Sequence, residues 1–489
     1  MSPVARAETF DPTTVTAAAL LQRADLARGS LEAGSYTRVR QVHVGGVDRT
    51  STTWSEGDNW LWREQGGGFT VADGSYKGQS WSQDENGIVV LHSDFRSKVD
   101  PNVLAWEHPD DPTYRVQVLG VTQAAPQEYV VEANPPGGSD EYRYYDAKTH
   151  LLARVVAFEK DRYRHVTDYL DYRLIFGEET AFTLHSYDGR PQNDRLTRTV
   201  SFEKTSASVS LTIPPSRALF ALSGNGPIEL PVRFTPQGIV IRANVNGRGL
   251  DFLLDSGASG LIIDPGVAHQ LGLTPFGRES TTIGGGDVDI GLVRIAQMTL
   301  GPLQLRDVVY STSPYDQQFD GARVVGLMGY DLLASAITEI DFKKQTVKVY
   351  PQSAFDPAKL GLHPVPIQLD DGVPRAAGSI EGVAGSFLVD TGAFGILAYK
   401  NYVDKLPFAP ISSSQFSIGT VGGSMNAQVR DVTNLAFGDI MFRTANVVVP
   451  SASTFDITDY DAIIGRNALL DYLLYFDYAD RMLYVKPNV

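Results

Sequence analysis

Two short stretches of the sequence hold the residues that could do chemistry together. One reads Phe252-Leu253-Leu254-Asp255-Ser256-Gly257-Ala258 and the other Phe387-Leu388-Val389-Asp390-Thr391-Gly392-Ala393. In each, an apolar strand delivers an aspartate into a tight turn. Gly257 and Gly392 allow a backbone path that a Cβ would obstruct. The hydroxyl of Ser256 or Thr391 can hydrogen-bond to the backbone of the other copy and fix the turn. Two such turns meeting at a pseudo-two-fold axis would bring Asp255 and Asp390 within hydrogen-bonding distance. Like charges that close cannot both ionise, so the pair shares one proton and its two pKa values separate. One carboxylate then activates water as a base, and the other protonates or polarises a carbonyl. Such a pair hydrolyses an amide without a metal ion or a serine or cysteine nucleophile.

A single Asp-Ser-Gly is most often only a turn, because Asp and Gly favour turns. Here the triplet recurs in register with other landmarks. Ile283-Gly284-Gly285-Gly286 begins 28 residues after Asp255, and Ile418-Gly419-Thr420-Val421-Gly422-Gly423 begins 28 after Asp390. Leu327-Met328-Gly329 places its glycine 74 residues after the first aspartate, and Ile463-Ile464-Gly465 places its own 75 after the second. Each copy closes on an aspartate beside aromatic residues and a hairpin, Ile340-Asp341-Phe342 to Tyr350 and Phe476-Asp477-Tyr478 to Val485. The second part of the chain is therefore an internal duplication.

Composition narrows the alternatives. Hydrophobic residues make up 43% of the chain, enough for ordinary globular cores. A formal net charge of −15 argues against a nucleic-acid partner, which needs a basic face. There is no cysteine, which excludes disulfides, cysteine-ligated metals and a cysteine nucleophile. The eight histidines show no metal-ligand spacing, so neither a metal site nor a cofactor is expected. Gly257-Ala258-Ser259-Gly260 lacks the spacing of a serine-hydrolase elbow, and Gly284-Gly285-Gly286 lacks the Gly-Lys-Ser/Thr of a phosphate loop. No apolar run approaches the ~18 residues of a membrane-spanning helix. Ala5-Arg6-Ala7 fits the small-x-small pattern of signal cleavage, so a mature exported chain, periplasmic in location, is expected.

The elements that must position these residues are read from periodicity. Ala and Leu at helical spacing predict one helix over Thr13–Arg28. Alternating runs then predict strands, among them 142–145, 151–159, 164–172 and 197–203, with turns at Gly66-Gly67-Gly68, Ala72-Asp73-Gly74 and Asp84-Glu85-Asn86-Gly87. All five tryptophans precede residue 107, which marks a separate domain, and in a β-rich setting they are expected to be core more than a ligand platform. Pro214-Pro215 and Gly224-Asn225-Gly226-Pro227 break the pattern. The expected domains are 8–215, then 228–350, a linker 351–366, and 367–489. That linker is short enough for two halves of one chain to face each other, so a monomer with an internal Asp255–Asp390 pair is expected.

Both copies resemble the retropepsin-like aspartic proteases. Phe252–Ala258 and Phe387–Ala393 match that family's apolar-apolar-Asp-Thr/Ser-Gly-Ala motif, and Ala462-Ile463-Ile464-Gly465-Arg466-Asn467 is similar to its Ile-Ile-Gly-Arg-Asn/Asp motif. The resemblance covers residues 228–488. It implies a mainly β fold of two tandem acid-protease barrel halves forming a pseudo-two-fold, bilobal unit. It implies aspartic endopeptidase activity on peptide or protein substrates, with Asp255 and Asp390 catalytic and Ser256, Gly257, Thr391 and Gly392 shaping the turns. The glycine-rich segments, Ile283, Gly284, Gly285 and Gly286 with Ile418, Gly419, Gly422 and Gly423, would be flaps over the substrate. The chain departs from the pattern in places. Ser259 and Phe394 stand where the family favours an Asp that pairs with the later Arg, so Arg466 needs another partner, and Tyr330 takes its place in the first copy. The first flap lacks the tyrosine of pepsins.

Residues 8–215 resemble, more weakly, the half-barrel of bacterial lipoprotein carriers, through the initial helix, the many strands, and the runs Tyr145-Asp146-Ala147-Lys148-Thr149 and Thr167–Tyr172. That resemblance implies a concavity able to take a lipid or acylated ligand. It leaves one alternative function, a non-catalytic lipid- or lipoprotein-binding protein that retains a protease-like fold. Peptide specificity and the physiological substrate are not encoded in any motif of the chain.

Overall fold

The computed structural model describes residues 9–92, 100–158, 163–205, 209–222, 224, 226–283, 286–369, 372–407, 415–420, 423–438, 440–442, 445–450 and 460–488. The chain is mainly β. It divides into two compact units. One comprises Met1–Ser80, Asp94–Ile213 and Gly277–Ser280, and the other Trp81–Ser93, Pro214–Phe276 and Thr281–Val489.

The first unit is an antiparallel meander. Its strands run in the spatial order 116–122, 128–133, 140–146, 152–158, 164–175, 178–187, 195–204, 35–44, 47–56, 59–66 and 69–76. The helix is Ala17–Arg28, starting later than its spacing predicts. Thr16 takes the N-cap, its hydroxyl accepting from the Ala19 amide at 3.3 Å, while Thr13 Oγ1 accepts from the Val15 amide and holds a turn instead. Gly29 ends the helix at φ 75°. Ala17 and Leu20 are buried against Val131 and Tyr145 of the sheet. The expected turn at Ala72-Asp73-Gly74 is instead strand, because Leu61 pairs with Gly74 and Trp62 with Asp73. The reversal falls at Lys77-Gly78, both at positive φ. The tryptophans are neither confined to this unit nor uniformly core: Trp81 belongs to the second unit and is 1% exposed, while Trp60 here is 37% exposed.

The second unit is built twice. In the first copy the strand order is 239–245, 248–254, 322–328, 261–263, 303–312, 286–300, 276–283. In the second it is 375–380, 383–390, 462–465, 396–398, 445–450, 423–432, 415–420, position for position the same. Each strand leading into or through the aspartate runs parallel to the strand leading into or through the landmark glycine: Leu254 pairs with Met328 and Asp390 with Gly465. Strands sandwiched this way are apolar throughout, which is why Phe252-Leu253-Leu254 and Phe387-Leu388-Val389 show no polar alternation. The closing hairpins of the two copies join edge to edge, Thr338 opposite Phe476 and Asp341 opposite Leu473. One continuous core then spans both copies.

Phe252 and Phe387 are its matching anchors, both wholly buried. Phe252 lies 5.9 Å from the Tyr310 ring and Phe387 5.8 Å from that of Tyr402. Gly378 has no Cβ to collide with the Phe387 ring, which a side chain there would meet at 2.2 Å. Phe252→Ala and Phe387→Ala should each destabilise this unit by about 3–5 kcal/mol. Chemical-denaturation midpoints would check this, and a loss near zero would contradict the paired-anchor description.

Candidate functional site

The two Asp-Ser/Thr-Gly turns meet at the junction of the two copies and interlock through their hydroxyls. Ser256 Oγ donates to Val389 O at 2.8 Å and accepts from the Thr391 amide at 3.0 Å. Thr391 Oγ1 donates to Leu254 O at 3.1 Å and accepts from the Ser256 amide at 3.0 Å. Both residues are fully buried. Each hydroxyl thus satisfies one donor and one acceptor in the opposite copy, groups that no water reaches.

The glycines act by leaving space. Neither Gly257 nor Gly392 has positive φ. A Cβ on Gly257 would lie 2.5 Å from the carboxyl carbon of Asp390, and a Cβ on Gly392 would lie 2.5 Å from that of Asp255. Each carboxyl therefore occupies the room that the other copy's glycine vacates. The Gly257 amide donates to Asp255 Oδ1 at 2.8 Å. Asp390 Oδ1 accepts from both Gly392 and Ala393 amides, each at 2.8 Å.

This environment makes the two carboxyls unequal. Burial first, then the negative charge of Asp390 and the hydrogen bond between them, push Asp255 well above the usual carboxylate range. Burial also raises Asp390, but the hydrogen bond from Asp255 and the amides of Ala393 and Gly392 counteract it. Both carboxyls are thus raised, and the pair holds one proton and one charge between them. Both residues are intermediate in exposure.

The later glycines lock the turns from behind. Gly329 N donates to Gly260 O and Tyr330 N to Ala258 O; in the second copy Gly465 N donates to Gly395 O and Arg466 N to Ala393 O, all at 2.9–3.1 Å. A Cβ on Gly329 or Gly465 would come within 2.2 Å of a backbone oxygen. Arg466 finds its partners in Pro236 O, to which its Nη2 donates, and in the ring of Phe394, 5.7 Å away. Phe394 thus replaces the missing carboxylate by a cation–π contact. Tyr330, in the equivalent place, stacks on Tyr478 at 5.5 Å.

Of the glycine-rich segments, Ile283 ends one strand and Gly286 begins the next. Ile418 and Gly419 lie on Gln415–Thr420, and Gly423 starts its hairpin partner, opposite Thr420. Gly284, Gly285 and Gly422 lie outside the described residues. Among the described residues no three His, Cys, Asp or Glu side chains gather as metal ligands.

Sequence reasoning missed two features. Tyr315 and Tyr478 are buried, and the field of Asp255 and Asp390 adds to burial in raising both phenols. Tyr478 belonged to the closing Asp-aromatic landmark; Tyr315 carried no sequence signal. A second acid pair joins Asp331, next to Tyr330, with Asp84. Asn86 Nδ2 donates to Asp331 Oδ2 at 2.7 Å and to Val309 O at 2.9 Å, while its Oδ1 accepts from the Val309 amide. Asp331 Oδ1 is buried and meets no donor unless one carboxyl is protonated toward the other. Burial and the charge of Asp84 carry Asp331 well up, and burial raises Asp84.

With these aspartates ordinary near ~3.9 when unfolded and raised when folded, the folded state holds more protons between the two values. Its stability contribution is complete at acid pH and declines as pH rises through the folded pKa. Asp331→Asn keeps an acceptor for Asn86 and offers a permanent donor to Asp84. The variant's melting temperature should fall less steeply than the wild type's from acid toward neutral pH; parallel slopes would contradict a shared proton. Ser256→Ala and Thr391→Ala should each cost about 2–6 kcal/mol, two buried bonds at ~1–3 each, measured by denaturant unfolding. Thr391→Ser should restore most of it, since the hydroxyl is kept, and equal loss in both Thr391 variants would assign the effect to the methyl group.

Residues 241–332 and 376–468 each match the aspartyl protease family. No curated protein matches the chain. Among solved structures, it is similar to an aspartic proteinase from Irpex lacteus, at 11% identity, with 54% of this chain and 97% of that one covered and a TM-score of 0.36. It is similar to a DUF1329 family protein from Desulfovibrio piger, at 17% identity, 39% and 92% coverage and a TM-score of 0.29. It is also similar to a domain described as an outer membrane lipoprotein-sorting protein from Vibrio parahaemolyticus, at 13% identity, 38% and 90% coverage and a TM-score of 0.29. The tandem resemblance to aspartic proteases read from the motifs is thus present in both copies.

Proposed function

We propose that the chain is an aspartic endopeptidase whose catalytic groups are Asp255 and Asp390, carried by halves 228–350 and 367–489. The observation that carries this reading is the reciprocal seating of the two carboxyls, each in the space left by the other copy's glycine and joined by a hydrogen bond.

We assign the charge of the pair to Asp390, which makes it the base. It takes a proton from water as the water oxygen bonds to the scissile carbonyl carbon. Asp255, the protonated member, gives its proton to the carbonyl oxygen. The tetrahedral diol then collapses: one diol hydroxyl returns its proton to the charged carboxylate as the C=O re-forms, the C–N bond breaks, the amine nitrogen takes the proton of the other carboxyl, and a carboxylic acid leaves. One proton on the pair is restored at the end of the cycle. The buried Ser256 and Thr391 hydroxyls hold the two turns in register, and the hairpins ending near Gly286 and Gly423 would cover the substrate.

Asp255→Asn and Asp390→Asn should each cut peptide hydrolysis by at least ~10²-fold, the usual weight of a positioned acid or base, with melting temperatures retained. The wild-type rate should follow a bell in pH. Its acid limb is protonation of Asp390 and its alkaline limb is loss of the Asp255 proton, the latter shifted upward by burial. A statine-type inhibitor should block turnover. Cleavage of a mixed peptide library is the assay. Full activity in either variant would overturn the paired-carboxylate mechanism, and no cleavage by wild type across the library would favour a binding protein with a protease-like fold.

A further inference from the structure

The first unit contains a charged cavity that the proteolytic reading does not use. It measures about 370 Å³ and is lined by the helix Ala17–Arg28 and by strands of the sheet, within the ordinary range for a small-ligand site. Its apolar wall includes Leu21, Leu152 and Leu184. Four arginines also line it, Arg28, Arg38, Arg40 and Arg143, together with the carboxylates of Asp25, Glu178 and Glu179.

Three of the four have partners. Arg28 sits 3.4 Å from Asp25 and 3.8 Å from Glu178. Arg143 bonds Glu141 at 2.8 Å and lies 3.9 Å from the Trp106 ring. Arg38 packs over Phe202 at 5.4 Å and feels the charge of Glu178. Arg40 has none of these. Among the described residues no carboxylate pairs with it, and its Nε is buried without a hydrogen-bond partner. Its charged neighbours are like charges. Arg38 shares its face two residues earlier on the strand Ser35–Val44, and Arg195, which is itself paired with Glu64 at 2.9 Å, stands nearby. Burial, with the fields of Arg38 and Arg195, pulls the Arg40 guanidinium down to about 10.

A half-buried guanidinium among cations, with an orphaned N–H, is costly unless an anion completes it. Its planar fork suits a carboxylate or a phosphate. We propose that this cavity binds a small organic anion, its oxyanion head held by Arg40 with Arg38 beside it and its apolar body against Leu21, Leu152 and Leu184.

Isothermal titration of the full chain with octanoate, octyl phosphate, octanol and octyltrimethylammonium tests this. At least one of the anions should bind with a stoichiometry of one and raise the melting temperature, while octanol and the cation bind far more weakly. Octanoate alone would identify a free carboxylic acid as the ligand type, octyl phosphate alone a phosphoryl head, and both a general oxyanion site. Arg40→Gln should weaken anion binding by ~10–100-fold, the weight of a charged hydrogen bond. Arg40→Lys should fall between. Should the glutamine variant fail to fold, the wild-type anion preference and its weakening with salt decide the matter. Equal binding of octanol, unchanged anion affinity in a folded Arg40→Gln, or no binding of either anion would overturn the proposal.

Discussion

Everything at the centre of the second unit depends on two backbones approaching closely enough for each aspartate to occupy its counterpart's missing Cβ. That approach is possible only because Gly257 and Gly392 carry no side chain. It holds its register because the buried hydroxyls of Ser256 and Thr391 cross over and saturate each other's backbone. Breaking any one of these bonds strands a buried amide or carbonyl, which is costlier than the bond's mean worth. The geometry therefore behaves as an interlock. The surrounding strands, with Phe252 and Phe387 wholly buried beneath the turns, bring the turns together.

Closeness alone would give two equivalent carboxyls. The difference arises from the one proton between them: two backbone amides act on each carboxyl, Gly257 and Gly392 on Asp255 and Gly392 and Ala393 on Asp390, and two charges that close cannot coexist. Near-symmetry in the fold thus becomes asymmetry in charge, which acid–base chemistry requires. The same physics recurs where Asp84 and Asp331 are buried together, but there Asn86 fixes one partner and ties it to Val309. That pair reads as a structural junction sensitive to pH.

Much of this was legible in the chain. The duplicated triplet, the glycine clusters and the landmark glycines all predicted one repeated unit, and the strand orders of the two copies coincide. The landmark glycines carry signal because only glycine tolerates the approach of the Ala258 and Gly395 carbonyls behind each turn. What escaped notice has physical reasons. Ala72-Asp73-Gly74 has turn composition but sits mid-strand, because pairing with Leu61 and Trp62 overrides local preference. Asp84 and Asp331 lie far apart in sequence, so no spacing rule links them. Arg40 reads as one of many surface arginines until the fold places Arg38 and Arg195 around it. Phe394 read as a departure and proved to be the ring on which Arg466 rests.

The account stands on one proton held between Asp255 and Asp390. Infrared spectra near neutral pH, recorded as differences between wild type and the Asp255→Asn, Asp390→Asn double variant, observe it directly through the carbonyl stretch of a protonated carboxyl. One such band should appear in the difference, present in the wild type and lost in the double variant, while that of the Asp84–Asp331 pair, common to both proteins, cancels. A spectrum in which the wild type has no band to lose, so that both carboxyls are ionised, would contradict it.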